Sequence, residues 1–202
     1  MHFYSLILFM QGIELLRYIK KTMEEIRRIM ALEKEGYYEQ CSFIQCNFNS
    51  ADLSGVRFVN CRFEGCDFSL AKLKNSSLQE VKFVNCKLLG VQFSDCRKFM
   101  LEVDFDSCIL KLSLFSGLKL KNRHFKNCDM QEADFSEADL SGAQFDGSDL
   151  HQAIFFHTNL ESADFRAAFN YSINPETNRL RKAKFSIQGV AGLLDSYGII
   201  IE

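Results

Sequence analysis

Eight cysteines are the residues of this chain whose type could do chemistry, because thiolates bind metals, form disulfides and act as nucleophiles. They are Cys41, Cys46, Cys61, Cys66, Cys86, Cys96, Cys108 and Cys128. Each lies two places before an expected apolar centre of a five-residue repeat, so the spacing follows the repeat and matches no CxxC ligand pair. Free cysteine is also a common small buried residue. We therefore expect structural thiols, no metal or other cofactor, and a reducing, cytoplasmic location.

The remaining polar residues show no catalytic pattern. The four histidines are His2, His124, His151 and His157. None lies beside a nucleophile or a metal partner, and the eleven glycines form no phosphate-binding loop. No pair of carboxylates stands out from an Asp-rich background. A regular coil with its polar groups on outward faces also lacks a pocket that excludes water. The sequence therefore predicts a protein that is not an enzyme.

A five-residue repeat from about residue 41 to residue 165 must position these side chains. In residues 133–147, a small residue lies two places before each Phe or Leu, and polar residues follow it. This period fits neither the 3.6-residue repeat of a helix nor the two-residue repeat of a strand. It fits a coil that turns one corner per repeat, with the Phe or Leu and the small residue pointing inward.

Four corners per turn would give a coil of about twenty residues, so equivalent residues stack about 4.8 Å apart. One predicted column contains Phe43, Phe63, Phe83, Phe105, Phe125, Phe145, Phe165 and Phe185. The column requires a slip of two residues around 97–102, where Lys98 occupies an expected apolar centre. Residues 39–165 are thus predicted to form the body of one elongated domain.

This pattern resembles the A(D/N)LXX repeat of the pentapeptide-repeat family. The resemblance implies an all-β solenoid, folded as a right-handed quadrilateral β-helix. Members of the family's quinolone-resistance branch act on DNA gyrase and topoisomerase IV by imitating DNA, and a C-terminal cap joins two copies. The resemblance therefore implies a non-catalytic, DNA-mimicking modulator of a type II topoisomerase. The long projecting loops of many gyrase-protecting members have no counterpart here except the short slip.

The charge distribution indicates which residues would serve such a role. Nine acidic residues and no Lys or Arg lie from Asp129 to Asp164, and an acidic rod could occupy a groove built to hold duplex DNA. Five of the nine are Asp residues just before a repeat centre, where the family prefers Asp or Asn for structural reasons. The predicted partner-binding residues are Glu132, Glu137, Asp146, Glu161, Asp134 and Asp139, with Arg97 and Lys98 at the slip.

Residues 1–38 lie outside the repeat. Apolar residues recur there at three- and four-residue spacing, namely Ile13, Leu16, Ile19, Met23, Ile26 and Met30. This spacing predicts an amphipathic helix over about 11–33 that caps the first coil. Alternatives are a translation start at Met23 or Met30, and a helix on a membrane surface. The segment lacks the features of a secretory signal, and no apolar run is long enough to span a membrane.

Residues 166–202 are predicted to complete the last coil and cap it. Residues 174–178 form a turn, and Ser186 is the N-cap of a helix over about 187–196, followed by an apolar strand. By resemblance, this cap makes a homodimer. The predicted dimerisation residues are Val190, Leu193, Leu194, Ile199, Ile200 and Ile201.

Two other functions remain open. The chain could be a general interaction scaffold whose partner is unrelated to DNA enzymes. It could instead bind nucleic acid directly through basic clusters at residues 111–126 and 179–184. The second is disfavoured because those clusters are short and lack interleaved outward aromatics.

Overall fold

The computed structural model describes residues 20–22, 25–27, 32–33 and 35–200. Within them the chain winds as a parallel β-solenoid with four sides, as the five-residue period predicts. We name the sides by consecutive buried centres of one coil, as the Phe43, Phe48, Leu53 and Phe58 sides. All four of these centres are at most 1% exposed, so the apolar residue of every repeat points into the rod.

Two parallel sheets run along the rod. The four-stranded sheet on the Phe58 side is β1 (Lys20–Thr22), β3 (Tyr37–Glu39), β5 (Arg57–Val59) and β7 (Ser77–Gln79). The six-stranded sheet on the Phe43 side is β2 (Glu25–Arg27), β4 (Ser42–Ile44), β6 (Arg62–Glu64), β8 (Val81–Val84), β9 (Val103–Asp106) and β10 (Phe125–Lys126). The other sides are joined by single parallel bridges, such as Asn47 with Asp67.

The strand register confirms the predicted coil length and slip. Phe63 pairs with Phe83 at a step of twenty residues, whereas Phe83 pairs with Phe105 at a step of twenty-two. The two extra residues project from the coil, because Phe99 and Met100 are 76% and 55% exposed. Leu101 is 6% exposed and supplies the buried apolar side chain of this segment.

The core is a stack of aromatic rings. Neighbouring rings of the Phe43 column lie 4.6–5.5 Å apart between centroids, with interplanar angles of 15° or less. A second column of Phe93, Phe115, Phe135 and Phe155 stacks at 4.8–5.3 Å. Rings of the two columns meet edge to face, for example Phe115 and Phe125 at 87°. Both arrangements are favoured by the ring quadrupole.

The corners of the coil are of two kinds. Most are closed by a backbone bond across the turn, such as the one from the Ala133 N–H to the Met130 carbonyl at 3.1 Å. At others, the N–H of the inward residue bonds to a group of the next coil, which is a side chain or, for Val81, the Glu102 carbonyl. The Cys46 N–H donates to Cys66 Sγ at 3.4 Å, and the Cys128 N–H donates to Ser148 Oγ at 3.0 Å.

The predicted N-terminal helix is wrong over residues 20–22 and 25–27. Strand β1 pairs with β3 and strand β2 with β4, so Ile26 is opposite Phe43 and extends the coil downward. The apolar spacing permits a helix, but pairing with the coil above gives the same residues a sheet partner. Such tertiary pairing overrides local propensity. Residues 32–33 are not helical either, and the rest of the predicted helix, including Ile13 and Leu16, lies outside the described residues.

The C-terminal end differs from its prediction in secondary structure. The Phe165 and Phe185 rings stack at 5.3 Å, so the phase of the repeat is kept. The predicted helix over 187–196 is two 3-10 helices, Val190–Leu193 and Asp195–Tyr197. Gly189 and Gly192 press against Tyr171 so closely that a Cβ on either would collide with it. This packing and the two glycines disfavour a regular α-helix. Residues 199–200 form no strand.

Candidate partner-binding surfaces

Seven of the eight cysteines form two sulfur columns inside the rod, the shorter of which is Cys41 with Cys61, whereas Cys96 lies apart beside Ser76. Because of the slip, Cys86 and Cys108 are neighbours, so the longer column contains Cys46, Cys66, Cys86, Cys108 and Cys128. All eight cysteines of the chain are free and buried. Within the residues that the structure describes, no cluster of His, Cys, Asp or Glu could hold a metal ion.

Each sulfur of the longer column is used as a hydrogen-bonding group. Cys66 Sγ accepts the Cys46 N–H and donates to the Phe43 carbonyl at 3.4 Å. Burial raises the pKa of Cys61 to about 12, and a neighbouring thiol together with burial raises the pKa of Cys86 to about 12. The thiolate is the reactive form, so these groups are unreactive near neutral pH. The arrangement is structural. The sequence predicts that these cysteines are small, buried and stacked, but it does not show the hydrogen bonds that their sulfur atoms make.

The aspartates before the repeat centres mostly serve the coil. Asp134 Oδ1 accepts the Ser136 N–H at 2.8 Å, which is an Asx turn. Asp139 accepts the Ser141 N–H at 3.2 Å and also pairs with Lys121 Nζ at 3.3 Å. These bonds lower the pKa of Asp139 and outweigh the opposing effect of burial. Asp134 and Asp139, both predicted to bind a partner, therefore already have local bonding roles.

The other four acids of the segment have no such role. The carboxylates of Glu132, Glu137, Asp146 and Glu161 make no ion pair within the described part of the chain. Glu132 and Glu137 lie at the corners that follow the Phe48 and Leu53 sides, while Asp146 and Glu161 lie on the Phe43 and Phe58 sides. The structure thus distributes them around the rod rather than on one face. We call residues 129–164 the acidic belt.

Basic groups border the belt at both ends. Below it, Lys111 Nζ lies 3.2 Å from Asp129 Oδ2. Above it, Arg166 pairs with Asp164 at 2.7 Å, and Lys184 reaches the same carboxylate at 3.6 Å. The Arg166 guanidinium is the main cause that lowers the pKa of Asp164 to about 2. Asp129 and Asp164 at the two ends of the belt are thus paired, as is Asp139 within it, while Glu132, Glu137, Asp146 and Glu161 keep unpaired negative charge.

The slip places the other predicted partner-binding residues on a projecting bulge. Arg97 is exposed, and Lys98 Nζ donates to the Gly117 carbonyl at 3.4 Å. Between these residues and the buried Leu101, the bulge exposes Phe99 and Met100. The structure does not bring Arg97 or Lys98 into contact with the unpaired acids of the belt. Sequence reasoning missed the apolar tip, although two consecutive apolar residues at a break in the repeat are a signal for it.

The C-terminal cap leaves apolar side chains exposed. Ser186 Oγ accepts the Gly189 N–H at 3.1 Å and closes the turn before the first 3-10 helix, whose N-cap is Gly189 and not Ser186 as predicted. Leu193 packs against the core, whereas Val190 is 44% exposed and Ile200 is 88% exposed. Leu194 and Ile199 also lie at this end, and Ile201 falls outside the described residues. Within the described ranges, no helix has the length and apolar character needed to cross a bilayer.

Comparison with known proteins identifies the repeat. A family model described as a pentapeptide repeat region matches residues 38–98, and a model of eight pentapeptide repeats matches residues 113–152 and 133–169. Together the matches cover more than half of the chain. Curated protein sequences give no match.

Solved structures of similar fold have low sequence identity. QnrB1, a plasmid-mediated fluoroquinolone resistance protein, is 22% identical over 92% of this chain and 98% of its own, with a TM-score of 0.46. HetL, from Nostoc sp. strain PCC 7120 and involved in heterocyst differentiation, is 17% identical over 85% and 86%, with a TM-score of 0.47. A thylakoid-lumen protein of Arabidopsis thaliana is 19% identical over 71% and 88%, with a TM-score of 0.31.

Proposed function

The chain belongs to the pentapeptide-repeat family, and on that premise we propose that it is a non-catalytic, cytoplasmic protein-binding rod. Its acidic belt occupies a basic, DNA-type groove on a type II topoisomerase such as DNA gyrase or topoisomerase IV. The binding residues are the four unpaired acids, with Asp134 and Asp139 beside them and Arg97 and Lys98 on the bulge. The partner class rests on the sequence resemblance to the quinolone-resistance branch.

The observation that carries the proposal is unpaired charge surrounding the rod. Glu132, Glu137, Asp146 and Glu161 make no ion pair among the described residues, and residues 129–164 contain no Lys or Arg. A duplex likewise presents phosphates on all sides of its axis. Lys and Arg side chains that line a groove for DNA would meet carboxylates whichever side of the rod entered.

The height of the belt limits the mimicry. Residues 129–164 span about two coil steps, or roughly 10 Å at about 4.8 Å per step. Each phosphate of one DNA strand advances about 3.4 Å along the helix axis, so the belt matches the height of roughly three base pairs. The belt therefore replaces a short stretch of duplex, and the bordering basic groups fix where that stretch ends.

We also propose that the C-terminal cap joins two copies. The exposed side chains of Val190, Ile199 and Ile200 and the partly buried Leu194 leave an apolar end to the rod. Leu193 and Ile201 complete the proposed contact. Sedimentation of the intact chain should give the mass of a dimer, and a monomeric mass at micromolar concentration would contradict this assembly.

A supercoiling assay tests the partner. Purified chain is titrated into DNA gyrase, with and without a quinolone, beside the variant E132Q/E137Q/D146N/E161Q. A control variant, E64Q/E80Q/D95N/D195N, removes the same number of exposed charges outside the belt. We expect the wild type and the control to inhibit supercoiling or relieve quinolone-stabilised cleavage, and the belt variant to do neither. Equal behaviour of the belt variant and the wild type would refute mimicry. No effect of the wild type would favour a scaffold with an unrelated partner.

A further inference from the structure

A cavity lies at the upper end of the Phe48 side, between the last coil and the C-terminal cap. Its volume is about 410 Å³, within the range of roughly 300–1,000 Å³ that small-molecule sites occupy. The coil is incomplete here, because Asn170 is exposed where the repeat expects a buried centre and Tyr171 is buried instead. Polar and aromatic side chains line the cavity, among them His151, Phe169, Asn170, Tyr171, Gln188 and Asp195.

The core and the cap hold the walls of this cavity in place. The Tyr171 ring packs against the rings of Phe165 and Phe185, at 5.6 and 5.7 Å between centroids. The Ile173 N–H donates to the Gly192 carbonyl at 2.8 Å, which ties the cap to the coil. The cavity is therefore part of the fold, built where the cap covers the incomplete coil.

The Tyr171 hydroxyl is a buried polar group on the cavity wall without a partner. Tyr171 is 4% exposed, and its hydroxyl makes no hydrogen bond among the residues that the structure describes. It lies against Gly189, which lines the same cavity. Burial raises the pKa of Tyr171, so the group stays a neutral hydroxyl that can accept a hydrogen bond. Buried polar groups are nearly always bonded, so this hydroxyl indicates a partner that the chain does not supply.

The charge around the cavity is negative. Asp195 is the one charged residue of cap residues 186–200, and it makes no ion pair in the described part of the chain. Behind the wall, Asp149 accepts a hydrogen bond from Asn170 Nδ2 at 2.9 Å, which leaves Asn170 Oδ1 as a free acceptor.

The bases at this end of the rod are paired or lie on other sides. Arg166 and Lys184 are on the neighbouring Phe43 side, and both pair with Asp164. Arg179 and Arg181 flank Leu180 on the opposite, Phe58 side, where Arg179 bridges Asn159. Because no Lys or Arg lines the cavity, its charge and free acceptors favour a cation.

We propose that this cavity binds a small organic cation, a free molecule with a guanidinium head. Asp195 pairs with the charge, while the Tyr171 hydroxyl and Asn170 Oδ1 accept its N–H groups. The Phe169 ring, 47% exposed, contacts the flat face of the head by a cation–π interaction. A guanidinium suits these walls because it bonds through its edges while its face stays free to lie on a ring. The site adds ligand binding to the proposed role of the rod and does not depend on the topoisomerase.

The test is a titration of the full-length, ¹⁵N-labelled chain with N-butylguanidinium, followed by amide chemical shifts at pH 8. We expect saturable shifts at Tyr171, Gly189 and Gly192, with a Kd on the order of 0.1–1 mM for a ligand of this size. N-butylurea, which has the same shape without the charge, should bind at least about tenfold more weakly.

Two variants separate binding from folding. D195N should weaken binding about tenfold, because it removes the charge from an exposed side chain. Y171F should weaken binding about threefold to tenfold, yet leave the melting temperature unchanged or raise it, because the buried hydroxyl has no partner to lose. A hydroxyl with a merely structural role would instead lower the melting temperature when removed.

Matched controls come from a tyrosine and an acid at the same end of the rod. Tyr197 donates to Glu176 Oε1 at 3.1 Å, and neither residue lines the cavity, so Y197F and E176Q should bind the probe as the wild type does. Equal affinity of D195N and the wild type would overturn the proposal, as would equal affinity for N-butylurea. Shifts confined to the acidic belt would show counterion binding there and also overturn it. Binding of a Gly-Arg-Gly peptide without binding of the free probe would assign the cavity to a protein partner, contrary to the proposal.

Discussion

Replacing Cys66 with Ala tests whether the sulfur columns hold the corners of the coil. The thiol accepts the Cys46 N–H at 3.4 Å and donates to the Phe43 carbonyl at 3.4 Å, both in the buried interior. Ala leaves that N–H without its partner. This loss costs about 1–2 kcal/mol, because sulfur is only a weak acceptor. Loss of the sulfur volume adds about 1 kcal/mol. The expected loss in free energy of unfolding is therefore about 2–3 kcal/mol.

Two matched variants separate the hydrogen bond from the packing. Cys96 is equally buried, but its N–H bonds to the Phe93 carbonyl at 3.0 Å across the turn. Cys96→Ala keeps that backbone bond and should therefore cost only the packing and the weak contact of the sulfur with Ser76 Oγ at 3.4 Å, together about 1 kcal/mol. Cys66→Ser keeps a donor and an acceptor and should recover most of the loss, as Ser148 does at the equivalent place higher in the column.

Urea unfolding of the three variants measures these differences, provided that the slope of the unfolding free energy against urea concentration is the same for each variant. The prediction is an order of decreasing stability in which the wild type comes first and Cys66→Ala comes last. If Cys66→Ala costs no more than Cys96→Ala, the thiols act only as small buried side chains, and the assignment of two kinds of corner is wrong.

Three further predictions concern the interior and the corners. The pKa of Cys61 and that of Cys86 are raised from 9.0 to about 12 in the folded chain, so the unfolded thiols ionise at lower pH. Stability should therefore be constant below pH 9 and fall between pH 9 and 12, which melting temperatures measured against pH would show. Phe125→Ala should cost about 3–5 kcal/mol in urea, because its ring stacks on neighbours above and below; a cost below 1 kcal/mol would contradict the stacked core. Gly142 has φ of 70° and a Cβ there would collide with Asn122, so Gly142→Ala should lower the melting temperature. Gly198 also has a positive φ, but a Cβ there meets no atom within 4 Å, so Gly198→Ala should lower the melting temperature less.

The repeat determined most of the fold because its period is long and regular. Phe and Leu at every fifth position specify which side chains point inward, and Lys98 at an apolar centre located the slip that the strand register confirms. The sequence predicts a helix at Ile26 because spacings of three and four residues also occur by chance in a short apolar segment. Pairing with Phe43 depends on the coil above, which local periodicity does not report.

The candidate surfaces were predictable in composition but not in placement. The absence of Lys and Arg from residues 129–164 is visible in the sequence, yet the structure is needed to show that Asp139 is paired and Glu137 is not. Likewise, Phe99 and Met100 look like ordinary apolar residues until the strand register places them outside the coil. Ion pairing and exposure depend on neighbours in space, so they are known only once the coils are stacked.

Competition between the chain and duplex DNA for gyrase tests the central claim most directly. Labelled chain is bound to the enzyme, and unlabelled duplex is titrated while the bound fraction is measured by anisotropy. The account predicts that duplex displaces the chain completely, and that the chain in turn displaces labelled duplex, because both occupy one basic groove. A ternary complex in which chain and duplex are bound together would contradict the claim that the acidic belt imitates DNA.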